Sequence, residues 1–139
     1  MLKRFFSHSR VAWIVVLSNL ISSPLFSEDN LEYKVKATYI ANFPQFVDWP
    51  DSKASKQSKI DVCVLGDSAI MDYPRVFEDA PSELKISLVR EDSLANVASH
   101  CHVVFTGSME ESKEALSVLK NKPVLTVSDA PDFAERGGM

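Results

Sequence analysis

Two cysteines and their histidine neighbours are the residues of this sequence best suited to chemistry. Cys63 and Cys101 are the only cysteines, and Cys101 stands between His100 and His102. A thiolate beside imidazoles is a possible ligand set for a metal ion such as zinc. On a strand, however, His100 and His102 would lie on one face and Cys101 on the other, and no second ligand pair at zinc-finger spacing occurs. A disulfide between the cysteines and a metal site are therefore alternatives.

Carboxylates after the predicted strands are the other candidates. They are Asp67, Asp72, Asp129 and Asp132. Open α/β sheets bind ligands at such positions, and carboxylates there could perform acid–base chemistry, although solvated loop acids are the commoner case. The chain lacks the glycine motifs of nucleotide-binding loops, and it has neither His-Glu-x-x-His nor Gly-x-Ser-x-Gly. We therefore predict no catalytic residue, metal ligand or cofactor, and expect a binding or regulatory protein.

The first 27 residues have the composition of a secretory signal peptide. Three basic residues precede a short apolar run, no acidic residue occurs, and a tail that contains several serines ends near Ser27. The basic residues are Lys3, Arg4 and Arg10, and the run is Val11–Leu17. This run is shorter than the roughly 20 residues that span a bilayer, although an uncleaved anchor is the alternative. We expect cleavage near Ser27, export to the periplasm, and one domain over residues 28–139.

Export changes both the charge and the cysteine chemistry. Residues 28–139 keep 12 of the 15 basic residues and all 19 acidic ones, a formal net charge of −7. Such a surface repels nucleic acid and anionic lipid. An even cysteine count in an oxidising compartment favours the disulfide.

Strands and helices alternate along the chain. Apolar runs predict strands at 60–65, 102–106 and 124–127, and alternation of apolar and polar residues predicts one at 84–89. Between them, a short helix is predicted near 68–73, a helix over 109–120 that begins with a Ser108/Glu111 capping box, and a short helix or turn at 129–136. This order predicts an α/β fold with a small, mostly parallel sheet between helices, in a three-layer, Rossmann-like arrangement.

A further helix precedes the first strand. Its apolar residues recur every three or four positions from Asp29 onward, which predicts one core-facing stripe; a ligand-stacking surface is the alternative. The stripe comprises Leu31, Val35, Tyr39, Phe43 and Phe46. Because Pro44 cannot donate a helical hydrogen bond, the helix should kink or end near Asn42 or Phe43.

Several segments, taken in order, resemble the YfiR family of periplasmic proteins. The matching segments are 35–43, 46–50, 62–66, 101–105 and 124–129, followed by Phe133 and Gly137–Met139. The signature of the first two segments, and a possible partner surface, is Tyr39, Asn42, Phe43, Phe46, Trp49 and Pro50. By the same resemblance, Cys63 and Cys101 match the positions of a family disulfide.

The resemblance implies a regulator without catalytic activity. It implies a homodimer that represses an inner-membrane diguanylate cyclase by binding its periplasmic part, and an outer-membrane lipoprotein that sequesters the repressor. Cyclic di-GMP signalling and biofilm formation would respond. Family domains also continue beyond the Gly-Gly-Met segment, so we expect the C-terminal part of the domain to be missing. The alternatives are a periplasmic small-ligand-binding sensory module and a truncated product without function.

Overall fold

The computed structural model describes residues 28–50 and 59–138. The predicted signal peptide, residues 1–27, lies outside these residues. The strands are β1 (Lys59–Leu65), β2 (Lys85–Glu91), β3 (Val103–Thr106) and β4 (Leu125–Ser128). The α-helices are α1 (Glu28–Asn42), α2 (Pro74–Glu78), α3 (Leu94–His100) and α4 (Met109–Val118). Three 3₁₀ helices cover Phe43–Phe46, Ala69–Asp72 and Ala134–Arg136.

The four strands form one parallel sheet in the order β2-β1-β3-β4. Val62 in β1 pairs with Leu88 in β2 on one side and with Val103 in β3 on the other. Parallel sheets are covered on both faces, and their strands are therefore apolar runs rather than alternating ones. The predicted α/β fold with a parallel sheet between helices is confirmed.

The two faces of the sheet carry separate cores. One face packs against α1 and α2 through β1 residues such as Ile60 and Val62. The other face packs against α3 and α4, and Cys63 and Leu65 of β1 point to it. Because successive strand residues point to opposite faces, this one strand contributes to both cores.

Local signals at two helix ends act as the sequence predicts. The helix α1 ends at Asn42, and Pro44 lies within the 3₁₀ helix that follows. At α4, the Ser108 hydroxyl accepts a hydrogen bond from the Glu111 amide, while the Glu111 carboxylate accepts one from the Ser108 amide. Both predictions, the end of α1 and the capping box, are confirmed.

Two short helices were not predicted. Only the 3₁₀ helix Ala69–Asp72 forms within the predicted 68–73 segment, and α2 follows it. The helix α3 crosses from β2 to β3 and buries just Leu94 and Val97. Since it spans seven residues and has two buried apolar positions, its periodicity is too brief to recognise.

The prediction that the stripe of Leu31, Val35, Tyr39, Phe43 and Phe46 faces the core was wrong. The buried side of α1 is made of Ala37, Ile40 and Ala41, and two alanines allow the helix to lie close to its neighbours. Of the predicted stripe, only Phe43 is partly buried against the core. The larger residues point away from the sheet because the small ones fit against it.

Candidate functional site

The outer face of α1 and its 3₁₀ extension is an exposed apolar surface, which we call the α1 stripe. The exposed fractions are Leu31 67%, Val35 45%, Tyr39 65% and Phe46 80%. The spacing of four residues in α1 places Leu31, Val35 and Tyr39 along one line of the helix. Single exposed apolar residues are ordinary on protein surfaces, whereas a continuous row marks an interaction site.

The six signature residues divide into an exposed group and a structural group. Tyr39, Phe46 and Pro50 are exposed, and the first two belong to the α1 stripe. Phe43 is half-buried at the edge of the core. Only some of the signature residues therefore lie on a surface that a partner can reach.

Asn42 and Trp49 hold the chain where it leaves α1. The Asn42 amide donates to the carbonyl of Thr38 over 2.7 Å and accepts from the Gln45 amide over 2.9 Å. The Trp49 indole donates to the carbonyl of Pro44 over 3.0 Å and meets the ring of His102 edge to face at 5.7 Å. These contacts fix the 3₁₀ turn that presents Phe46.

A small apolar pocket lies beside the α1 stripe, at the carboxyl ends of β3 and β4. Its lining is Lys36, Tyr39, Ile40, Phe43, Phe105, Val127, Ser128 and Asp129. Its volume is about 220 Å³, below the roughly 300–1,000 Å³ of ordinary ligand sites. The pocket therefore suits a single protruding side chain better than a metabolite.

The rim of this pocket is charged. Lys36 Nζ lies 2.5 Å from both Asp129 and Glu32. Burial alone would lower the pKa of Lys36, but its hydrogen bonds to the two carboxylates outweigh that effect, and the pKa is raised above its ordinary value. Lys36 is consequently a fixed cation next to the exposed apolar residues.

The four carboxylates after the strands do not gather in one cluster. Asp67 pairs with Arg90 at 2.9 Å and its side chain is 91% exposed, and Asp72 is exposed on the same open depression. Asp129 belongs to the Lys36 rim, and Asp132 is exposed with a φ of 59°.

The crevice between the carboxyl ends of β1 and β3 is where the strand order changes direction. In open α/β sheets this position binds ligands, often phosphates. Here Gly66 follows β1 with a φ of +72°, and the Glu111 carboxylate of the capping box occupies the space where a Cβ at Gly66 would lie. A carboxylate at this point repels an anionic ligand.

Cys63 and Cys101 form a disulfide, with Cα atoms 5.9 Å apart. Both residues are fully buried, and the bond ties the central strand β1 to the end of α3. Of the two alternatives for these cysteines, a disulfide and a metal site, the structure contains the disulfide.

The strand interpretation of 100–102 was wrong for His100. His100 ends α3, and one of its ring nitrogens lies within 4.8 Å of both sulfurs. His102 instead accepts a hydrogen bond from the Asp61 amide at Nδ1 and meets the Trp49 ring edge to face. The sequence analysis placed both histidines on one face and Cys101 on the other, and this was wrong: His100 lies beside the sulfurs, whereas His102 does not belong to that group.

The sequence analysis assigned Leu31 and Val35 to the core, and it therefore did not recognise them as residues of an exposed site. The signal that could have identified them is the pair Ala37 and Ala41, which stand four residues apart on the opposite side of the same helix. It also missed Glu91, whose carboxylate lies 2.8 Å from Nε2 of His100.

This parallel α/β scaffold, with a disulfide and an exposed apolar helix, has the features of a binding protein. A family model described as YfiR/HmsC-like matches residues 33–139. The chain belongs to the YfiR/HmsC-like family, whose members are periplasmic regulators rather than enzymes and which is associated with the regulation of diguanylate cyclases. A comparison with curated proteins gave no match. Within residues 28–50 and 59–138, no helix combines the length and apolar character needed to cross a membrane.

Proposed function

We propose that this protein binds the periplasmic part of an inner-membrane diguanylate cyclase and represses it through the α1 stripe. The observation that carries the proposal is the row of exposed apolar residues, Leu31, Val35, Tyr39 and Phe46. A contiguous row of exposed apolar residues marks a surface that a partner covers, because its exposure to water is unfavourable. The predicted signal peptide would export this surface to the periplasm, where the proposed partner would meet it.

The surroundings of the α1 stripe fit a protein partner. Aromatic residues supply much of the affinity at protein interfaces, and Tyr39 and Phe46 are the most exposed aromatic residues of the stripe. The adjoining pocket of about 220 Å³ is suited to one anchoring side chain. At this pocket, the size favours a protein side chain over a small ligand.

The resemblance extends the proposal to two further partners. The chain would form a homodimer, and an outer-membrane lipoprotein would sequester it and so release the cyclase. A molecule of this protein that is bound to the lipoprotein is not available to the cyclase. Sequestration and repression therefore exclude each other. Sedimentation of the purified chain tests the homodimer, since a monomer at micromolar concentration would contradict it.

The test compares two valines of nearly equal exposure on different helices. Val35 on α1 is 45% exposed and Val118 on α4 is 46% exposed. We expect Val35→Asp to weaken binding of the purified cyclase periplasmic part at least tenfold, because a carboxylate in an apolar interface loses its hydration. Val118→Asp, the matched control, should bind like the unchanged chain in the same titration.

The same variants are then expressed in cells that lack the natural gene. The unchanged chain and Val118→Asp should lower cyclic di-GMP, whereas Val35→Asp should not. Equal binding by both variants would reject the α1 stripe as the binding surface. Failure of the unchanged chain to bind a cyclase or to lower cyclic di-GMP would reject the function itself.

A further inference from the structure

The C-terminal end of α3 places three metal-ligating residues together. Ligand atoms of Cys63, Cys101 and His100 all lie within 4.8 Å of one another. Tetrahedral zinc with Zn–S bonds of about 2.3 Å needs its sulfurs about 3.8 Å apart, so the two sulfurs must move apart once the bond between them is reduced. The Cα atoms of the cysteines are already 5.9 Å apart.

We propose that this group is a redox-gated zinc site, closed while the disulfide is formed and opened by reduction. A dithiol reductant is oxidised to its own disulfide and supplies two electrons and two protons, which convert the Cys63–Cys101 bond into two thiols. Zinc then displaces both thiol protons to solvent, and the neutral His100 ring supplies the third ligand. The proposal does not depend on the proposed function.

Charge and burial support zinc over a harder cation. Both cysteines are fully buried, and two thiolates neutralise the ion, which lowers the cost of burying it. Thiolate and imidazole are ligands that zinc prefers, whereas calcium and magnesium prefer oxygen. The His100 side chain is 43% exposed, and a water molecule arriving from that side would complete the four ligands.

Glu91 is the positioning residue of this site. Its carboxylate lies 2.8 Å from Nε2 of His100, and the Glu91 side chain is only 14% exposed. A carboxylate that holds one ring nitrogen of a histidine orients the ring and raises its basicity toward a metal. The Glu91 carboxylate also accepts from the Asn96 amide over 3.2 Å, which keeps it in place.

Cobalt(II) titration of the purified chain tests the proposal, because cobalt–thiolate bonds give a near-ultraviolet charge-transfer band. After reduction with a phosphine, we expect this band at one cobalt per chain, and none with the oxidised chain. His100→Ala should weaken cobalt binding at least tenfold, and Glu91→Gln should weaken it by a smaller factor. Asp92→Asn, which removes the neighbouring exposed carboxylate, is the matched control and should leave affinity unchanged.

Thermal unfolding of the reduced chain gives a second measurement. Zinc should raise its melting temperature, or restore the fold if reduction alone unfolds the chain, because the ion binds only the folded arrangement. A reduced chain that gains nothing from zinc would overturn the proposal. Equal cobalt binding by the oxidised chain, or by His100→Ala, would overturn it as well.

Discussion

Gly66 is the residue on which the crevice between β1 and β3 depends. It adopts a φ of +72°, and the Glu111 carboxylate lies where its Cβ would be. The same carboxylate completes the capping box at Ser108. One side chain thus closes the crevice and stabilises α4.

We expect Gly66→Ala to lower the free energy of unfolding by about 1–2 kcal/mol, because the left-handed conformation is unfavourable for alanine and the new methyl group must displace Glu111. Urea denaturation measures the change. Gly107→Ala is the control, since the nearest atom to its Cβ would be 3.9 Å away and its effect should be small. A similar loss at both glycines would contradict the explanation.

For single residues, the sequence shows which reactive side chains are present more readily than it shows which other side chains lie next to them. The pairing of Cys63 with Cys101 follows from export and an even count. The proximity of His100 to both sulfurs does not, because it depends on a helix end that neighbouring residues do not signal. Likewise, the Asp129 carboxylate is visible in the sequence, whereas its partner Lys36 is 93 residues away.

Among the helices, α4 has the strongest local start signal. The Ser108 hydroxyl accepts from the Glu111 amide over 3.1 Å, which satisfies an amide that lacks a partner within the helix. The helix then covers β3 and β4 on the face opposite α1.

Ser108→Ala should reduce the free energy of unfolding by about 1 kcal/mol, the usual cost of losing a side-chain cap. The midpoint of urea denaturation reports the loss. Ser117→Ala, at an exposed position within the same helix, should be neutral or slightly stabilising because alanine favours helix. If Ser108→Ala also proves neutral, the cap contributes nothing.

The helix α1 shows where prediction from periodicity stops. Periodicity correctly predicts a helix, and Pro44 correctly predicts its end at Asn42. Periodicity cannot decide which of two apolar sides faces the sheet, because that depends on how closely the backbones approach. Ala37 and Ala41 allow a close approach, and the bulkier Val35 and Tyr39 are left outside.

For the molecule as a whole, the parallel sheet follows from the alternation of strands and helices. The strand order β2-β1-β3-β4 requires the connection through α3 to pass over β1. That crossing explains why Cys63 of β1 meets Cys101 at the end of α3. The disulfide therefore stabilises the crossover from β2 to β3, which is where the order of strand addition across the sheet reverses.

Replacing both cysteines with alanine should lower the free energy of unfolding by about 2–4 kcal/mol, because the bond closes a 38-residue separation and restricts the unfolded chain. Chemical denaturation with and without reductant measures this. Reductant should destabilise the unchanged chain and leave the double variant unaffected. If the unchanged chain is equally stable with reductant, the bond does not stabilise the fold.

The disulfide encloses α2, β2 and α3 in a covalent ring, and the connection at 79–84 between α2 and β2 lies inside it. A protease that cuts this connection would produce two polypeptides that remain joined through sulfur. Electrophoresis would show a single band until a thiol is added and two shorter bands afterwards. Separation of the edge strand β2 from its neighbour β1 would then require two successive events, hydrolysis of a peptide bond and reduction of the disulfide.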